Sequence, residues 1–205
     1  MIAIVDYGVG NLFSLQSSFA AIGEEVVISS ERTVIESAER IILPGVGAFA
    51  DAAEKLRRSG LDQVVLTETR KGKPLLGICL GMQMLFEKSY EYGEHEGLGL
   101  IPGVVRPIRG YVADDLKIPH IGWNPLHLKT PKDPLFRYLE DGDCVYFVHS
   151  FFATDCDDFV IATAEYGREL TAAVRRGNVW GAQFHPEKSG KVGLAILKAF
   201  CEVES

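Results

Sequence analysis

Short apolar runs alternate with helix-period segments through the first half of the chain. Ile2–Asp6 is an almost unbroken apolar run of strand length. Leu12, Leu15, Phe19 and Ile22 then recur at helical spacing until Gly23 stops the pattern. Glu25–Ser29 and Arg40–Leu43 predict the next strands, and Phe49–Arg58 and Leu61–Arg70 the next helices. Pro74–Ile78 is continuously apolar, which suits a strand covered on both faces, and Leu80–Phe86 predicts a buried helix.

From Val104 the pattern changes. Val104–Arg109, Lys117–Ile121, Asp143–Val148, Phe159–Glu165, Thr171–Arg176 and Val179–Phe184 are strand-like and punctuated by Pro and Gly. Ser189–Glu202 closes the chain as a helix with Val192, Ile196, Ala199, Phe200 and Val203 on one stripe. A β/α-alternating first half implies a parallel sheet with helices on both faces. The expected fold is α/β: a three-layer, flavodoxin-like open sheet, mostly parallel, with a mixed or antiparallel extension in the second half. No repeat or flexible linker marks a boundary, so residues 1–205 are expected to form a single domain.

Composition narrows the function classes. Of 205 residues, 47% are hydrophobic and 24% charged, and the net charge is −7, so a broad nucleic-acid footprint or an anionic-membrane surface is not expected. No basic leader opens the chain, and no apolar run approaches spanning length. Cys79, Cys144, Cys156 and Cys201 lie far apart with no CxxC pair, which fits reduced thiols in a cytoplasm.

The sharpest local signal is Gly77-Ile78-Cys79-Leu80-Gly81-Met82-Gln83, directly after a predicted strand and opening a helix. Gly-x-Cys-x-Gly in that position has the form of a nucleophile elbow: the flanking glycines permit a tight turn, and Cys79 projects from its tip at a helix N-terminus. An acyl-transferring thiolate needs a proton shuttle and a group to orient it. Gln183-Phe184-His185-Pro186-Glu187 supplies both at another strand end, with His185 and Glu187 expected on one side of an extended backbone. The oxyanion of a tetrahedral intermediate needs backbone N–H donors. Leu80 provides one, and Gly45 or Val46 in Pro44-Gly45-Val46-Gly47, after the Arg40–Leu43 strand, provides the other. Other signals fail. Phe13 stands at the third glycine position after Gly8-Val9-Gly10, no Walker-type GK[ST] occurs, and the remaining histidines lack metal-ligand spacing. Neither a metal nor an organic cofactor is expected.

Together these segments resemble the class I, triad-type glutamine amidotransferases. Asp6–Asn11, Pro44–Phe49, Ile118–Asn124, Tyr146–Phe151 and His185–Ser189 resemble the branch of that family that serves histidine biosynthesis. Two small departures are Ile121, where Met is more frequent, and Phe151, where Tyr is common. The resemblance implies hydrolysis of L-glutamine to glutamate and ammonia through Cys79, His185 and Glu187. It places the substrate near Gly47, Gln83, Ser150 and Phe151. It also implies a (β/α)₈-barrel cyclase in trans that uses the ammonia to close an imidazole ring. Such a barrel needs about 250 residues, and no stretch of this chain is left over for one. Trp123, Tyr146 and Lys188 are the expected docking residues. A glutaminase idling without its acceptor wastes substrate, so the N–H of the Gly45–Val46 peptide is expected to reach the oxyanion hole only when partner and nucleotide are bound. Rival readings keep the fold: a glutaminase of another pathway, a stand-alone γ-glutamyl hydrolase, a catalytically dead partner module, or an unrelated flavodoxin-like binding protein.

Overall fold

A computed structural model describes residues 1–203. The first half runs β1 (Ile2–Val5), α1 (Leu12–Ala21), β2 (Val26–Ser29), α2 (Arg32–Ser37), β3 (Arg40–Leu43), α3 (Phe49–Arg58), α4 (Leu61–Arg70), β4 (Leu75–Ile78) and α5 (Leu80–Met84). The second half runs β5 (Lys88–Ser89), β6 (His95–Glu96), β7 (Val104–Pro107), β8 (His120–Pro125), β9 (His127–Leu128), β10 (Cys144–His149), β11 (Phe151–Thr154), β12 (Val160–Glu165), β13 (Glu169–Arg176), β14 (Val179–Ala182) and α6 (Gly190–Cys201).

The main sheet has the order β2-β1-β3-β4-β14-β13-β12-β9. Its first five strands are parallel and follow the 2-1-3-4-5 pattern of flavodoxin-like sheets. The remaining strands, from β13 outward, pair antiparallel, which is the expected mixed extension. Burial on both faces can be followed residue by residue. Ala3, Val5, Ile41, Leu43 and Leu75 enter one core with Phe49, Leu56, Leu61 and Val65 of α3 and α4. Their neighbours Ile2, Ile4, Ile42, Leu76 and Ile78 enter the opposite core with Leu15 and Phe19 of α1 and Ile196 and Phe200 of α6. Successive strand side chains alternate between faces, so a strand covered on both sides has no polar phase.

Several boundaries differ from the sequence expectation, each for a local reason. β8 starts at His120 rather than Lys117, because Pro119 has no N–H to extend the ladder that pairs His120 with His149 and Pro125 with Cys144. The helix expected over Leu80–Phe86 stops at Met84, where the backbone N–H of Leu98 donates to Met84 and those of Leu100 and Ile101 donate to Leu85. The hairpin β5–β6 and strand β9 are two residues each, too short to show a period. α2 buries only Ile35, and β11 follows β10 after a single residue, Ser150, so neither stands out as a separate run. β10 pairs β8 in a ribbon of its own, and β11-β7-β5-β6 forms a small side sheet.

Candidate active site

Three neighbouring parallel strands, β3, β4 and β14, end on the same edge of the sheet, and each end carries part of the site. At the end of β4, Cys79 has φ 55° and ψ −111°, a backbone conformation that side-chain-bearing residues rarely adopt. Its N–H donates to Ala182 O at 2.7 Å, prolonging the β4–β14 ladder, and its carbonyl accepts the first α5 bond from Gln83 N at 3.1 Å. The flanking glycines are required by close approach. A Cβ on Gly81 would lie 1.9 Å from Leu43 O, and one on Gly77 would lie 2.7 Å from Gly81 O. The elbow therefore forms as expected. α5 is only five residues long, though, so a helix dipole contributes little and side chains dominate the electrostatics around the thiol.

His185 follows β14. Its Nδ1 donates to Glu187 Oε1 at 2.8 Å, and both side chains are almost fully buried. The backbone joining them is not extended as expected: Pro186–Lys188 forms a 3₁₀ turn, which brings the carboxylate back beneath the imidazole. Because a carboxylate only accepts, Nδ1 carries the proton and Nε2 is left for Cys79. Burial opposes the imidazolium, but hydrogen bonding and charge from Cys79 and Glu187 outweigh it and push His185 up to about 9. β10 clamps this loop. His185 N donates to Tyr146 O at 3.0 Å, Tyr146 N donates to Ser189 Oγ at 3.0 Å, and Ser189 Oγ donates to His185 O at 2.6 Å.

At the end of β3 the expected oxyanion donors are present but not assembled. Tyr7 OH donates to Pro44 O at 2.7 Å, and the next carbonyl, Gly45 O, accepts from Leu80 N at 3.3 Å. In a trans peptide the N–H of Val46 then points away from Leu80, so an acceptor sits where an oxyanion would have to sit. Gly45 itself has no left-handed φ. Its lack of a side chain answers to packing, because a Cβ there would meet Gly81 N at 2.7 Å and Leu80 Cβ at 2.9 Å. Gly47 is the residue of this loop with the unusual backbone, at φ 91°.

A cleft of about 340 Å³ joins these parts. Its walls include Val46, Gly47, Cys79, Leu80, Gln83, Ser150, Phe151, His185 and Lys188, so most residues singled out in the sequence are brought together. Gly45 lies beneath the cleft and Glu187 behind His185. Trp123 and Tyr146 stand outside it as a cross-strand pair on the β8–β10 ribbon, ring centroids 6.0 Å apart, with Trp123 55% exposed. Lys188 Nζ lies 5.9 Å from the Tyr146 ring centroid, so the three form a row running outward from the cleft, the two aromatic rings meeting edge-on. Glu91 was not singled out. It lines the cleft, accepts from Phe49 N at 2.6 Å, and burial raises its carboxyl above the usual range. Among the described residues, no group of three His, Cys, Asp or Glu is placed to hold a metal ion.

His149, not singled out in the sequence, also borders the cleft. Its Nδ1 donates to Phe151 O at 2.8 Å, and its Nε2 lies 3.0 Å from His120 Nδ1. Burial pulls His149 down to about 3. The folded value lies below the ordinary value near 6.5, so the neutral ring stabilises the fold above about pH 6.5, and that contribution is lost as pH falls towards 3. His149→Gln keeps a donor for Phe151 O but does not titrate. Its urea midpoint is expected to fall less between pH 6.5 and 4 than that of the wild type; equal slopes would assign the acid sensitivity to another group.

The family Glutamine amidotransferase class-I matches residues 3–203. The chain is 50% identical over 202 residues to the imidazole glycerol phosphate synthase subunit HisH of Lactococcus lactis subsp. lactis, covering 98% of each. It is 46% identical over 204 residues to the protein of the same name from Syntrophotalea carbinolica, again covering 98% of each. Among solved structures it resembles one titled as a glutamine amidotransferase, with TM-score 0.75 and 19% identity over 98% of this chain and 100% of that one. It also resembles PurLQS from Thermotoga maritima, with TM-score 0.73 and 22% identity over 98% and 96%. At those identities the two structures speak to the fold alone.

Proposed function

Because the chain belongs to the class I glutamine amidotransferase family, we propose that it is the glutamine-hydrolysing subunit of imidazole glycerol phosphate synthase, acting in histidine biosynthesis. Near-50% identity to HisH proteins over almost the whole length of both chains supports the pathway. The observation that carries the chemistry is Cys79 on a strained elbow beside the buried His185–Glu187 pair at the next strand end.

In this reading the Cys79 thiolate attacks the side-chain amide carbon of glutamine, and negative charge develops on the amide oxygen. His185 gives its proton to the departing ammonia, leaving a γ-glutamyl thioester. It then takes a proton from the water that hydrolyses the thioester, and Glu187 holds the imidazole in the required tautomer throughout. The α-ammonium of glutamine needs acceptors, and the carboxylate of Glu91 supplies one beside Gln83 in the cleft wall. Gly47, Ser150 and Phe151 border the remainder of the substrate.

Ammonia released into water near neutral pH is mostly protonated and no longer nucleophilic. The cleft must therefore open onto a sheltered path in a partner, proposed as a (β/α)₈-barrel cyclase. The imidazole ring closure and the accompanying lyase step belong to that partner. Exposed Trp123 and Lys188 and half-buried Tyr146 form the proposed docking row, with aromatic residues suited to anchoring an interface. Through Tyr146 the docking face reaches the backbone of His185 directly. A cytoplasmic setting fits the free thiols at Cys79, Cys144, Cys156 and Cys201; no helix among the described residues is long and apolar enough to cross a membrane.

The test is glutamate release by the purified chain, with and without the cyclase and its nucleotide substrate. Low basal turnover rising about 10²-fold or more is expected, the size of effect a completed oxyanion hole supplies. High turnover without a partner would point to a stand-alone γ-glutamyl hydrolase. No release under any condition would overturn the reading.

A further inference from the structure

Gln183 is fully buried (0% exposed) at the end of β14, two residues before His185. Along that extended stretch Phe184 turns into the core against Phe147, with ring centroids 5.8 Å apart. Gln183 and His185 face the other way and flank the same sulfur. Gln183 Nε2 lies 3.9 Å from Cys79 Sγ, and Gln183 Oε1 lies 3.0 Å from Gln83 Nε2, whose other contact is Phe151 O at 3.1 Å.

The orientation of both amides follows from one fixed point. A backbone carbonyl can only accept, so the Gln83 atom facing Phe151 O is nitrogen. That nitrogen has a second hydrogen, so the Gln183 atom it meets is oxygen. The Gln183 atom facing Cys79 is therefore an N–H donor. Its backbone is pinned as well, with Gln183 N donating to Ala172 O at 2.9 Å. A buried amide is tolerated only where its polar atoms are bonded, and here one of the two ends is spent on the sulfur. An N–H aimed at sulfur favours the thiolate over the thiol.

We propose that Gln183 is a second hydrogen-bonding partner of the Cys79 sulfur, a fixed donor that holds the thiolate from the side opposite substrate. Gln83 is the positioning residue that keeps its amide the right way round. The proposal rests on Cys79 being the nucleophile. It differs from the role of His185 in one respect: the Gln183 donor cannot leave with a proton, so it faces the sulfur through the whole cycle.

Iodoacetamide alkylation of the purified chain, followed across pH 5–10 on the Cys79 peptide so that exposed Cys144 does not contribute, tests this without partner or substrate. In Gln183→Met and Gln183→Leu, which fill similar volume without a donor, the pH midpoint of alkylation is expected to rise by about one unit, with about tenfold slower alkylation at pH 7. Gln83→Met is expected to move the midpoint the same way by less, because the Gln183 amide is then free to turn; a space-filling role would move neither. A folded Gln183→Met with the wild-type midpoint overturns the proposal alone. A wild-type Cys79 that is not alkylated at any pH in this range overturns the nucleophile reading and the proposal with it. Should both Gln183 variants fail to fold by circular dichroism, Gln83→Met decides, and an unchanged midpoint there overturns the proposal.

Discussion

Cys79→Ala is expected to lower partner-stimulated glutamine hydrolysis by about 10⁴- to 10⁶-fold, the usual cost of deleting a nucleophile whose partners act only through it. His185 and Glu187 remain in place in this variant, but neither has a group to activate. The effect on stability is expected to be small, since alanine keeps the backbone in the same unfavourable region at φ 55°. Cys79→Gly separates the two quantities. It is equally inactive, yet it relieves a conformation that costs a side-chain-bearing residue about 1–3 kcal/mol, so its urea midpoint is expected to lie above that of Cys79→Ala. An inactive protein more stable than its alanine counterpart is the signature of strain held for function. Turnover in Cys79→Ala within tenfold of the wild type would remove the thiol from the mechanism.

The parts of this site legible in the sequence are those where local chemistry and local geometry coincide. Gly77-x-Cys79-x-Gly81 predicts both a nucleophile and the close approach that would position it, and the clash distances at both glycines show that close approach. The sheet was legible because strands covered on both faces leave unbroken apolar runs, as in Pro74–Ile78. What stayed hidden depends on elements distant in sequence. Gln183 stands beside the histidine in the same short segment, but its meaning depends on Gln83 and Phe151, on other strands and helices. Glu91 sits in a connection between two-residue strands, with no period or motif to mark it, and acquires significance only from the backbone of Phe49. The 3₁₀ turn at Pro186–Lys188 differs from the extended segment expected because Ser189 folds back onto His185 and β10, a tertiary contact that spacing cannot express.

Val46→Pro is expected to reduce partner-stimulated turnover by about 10²- to 10³-fold, the range for losing one oxyanion-hole donor. Leu80 N is occupied by Gly45 O in the resting arrangement, and that bond is a single neutral N–H···O contact worth about 0.5–1.5 kcal/mol. A partner bound against the adjoining face needs only a few kcal/mol of differential contact to turn the Gly45–Val46 peptide over. On the proposed oxyanion-hole reading, turning it would do two things at once: remove the acceptor from the hole and deliver the Val46 N–H to it. Proline at 46 abolishes the second, because ring carbon replaces the N–H that would enter the hole, so kcat is expected to fall. Gly45 is the wrong place to ask the question, since even a methyl group there meets Gly81 N at 2.7 Å and would report on folding of the elbow. Val46→Ala retains the N–H and is expected to lose far less. Nucleotide-stimulated turnover in Val46→Pro equal to that of the wild type would mean that the hole is completed by some group other than this peptide.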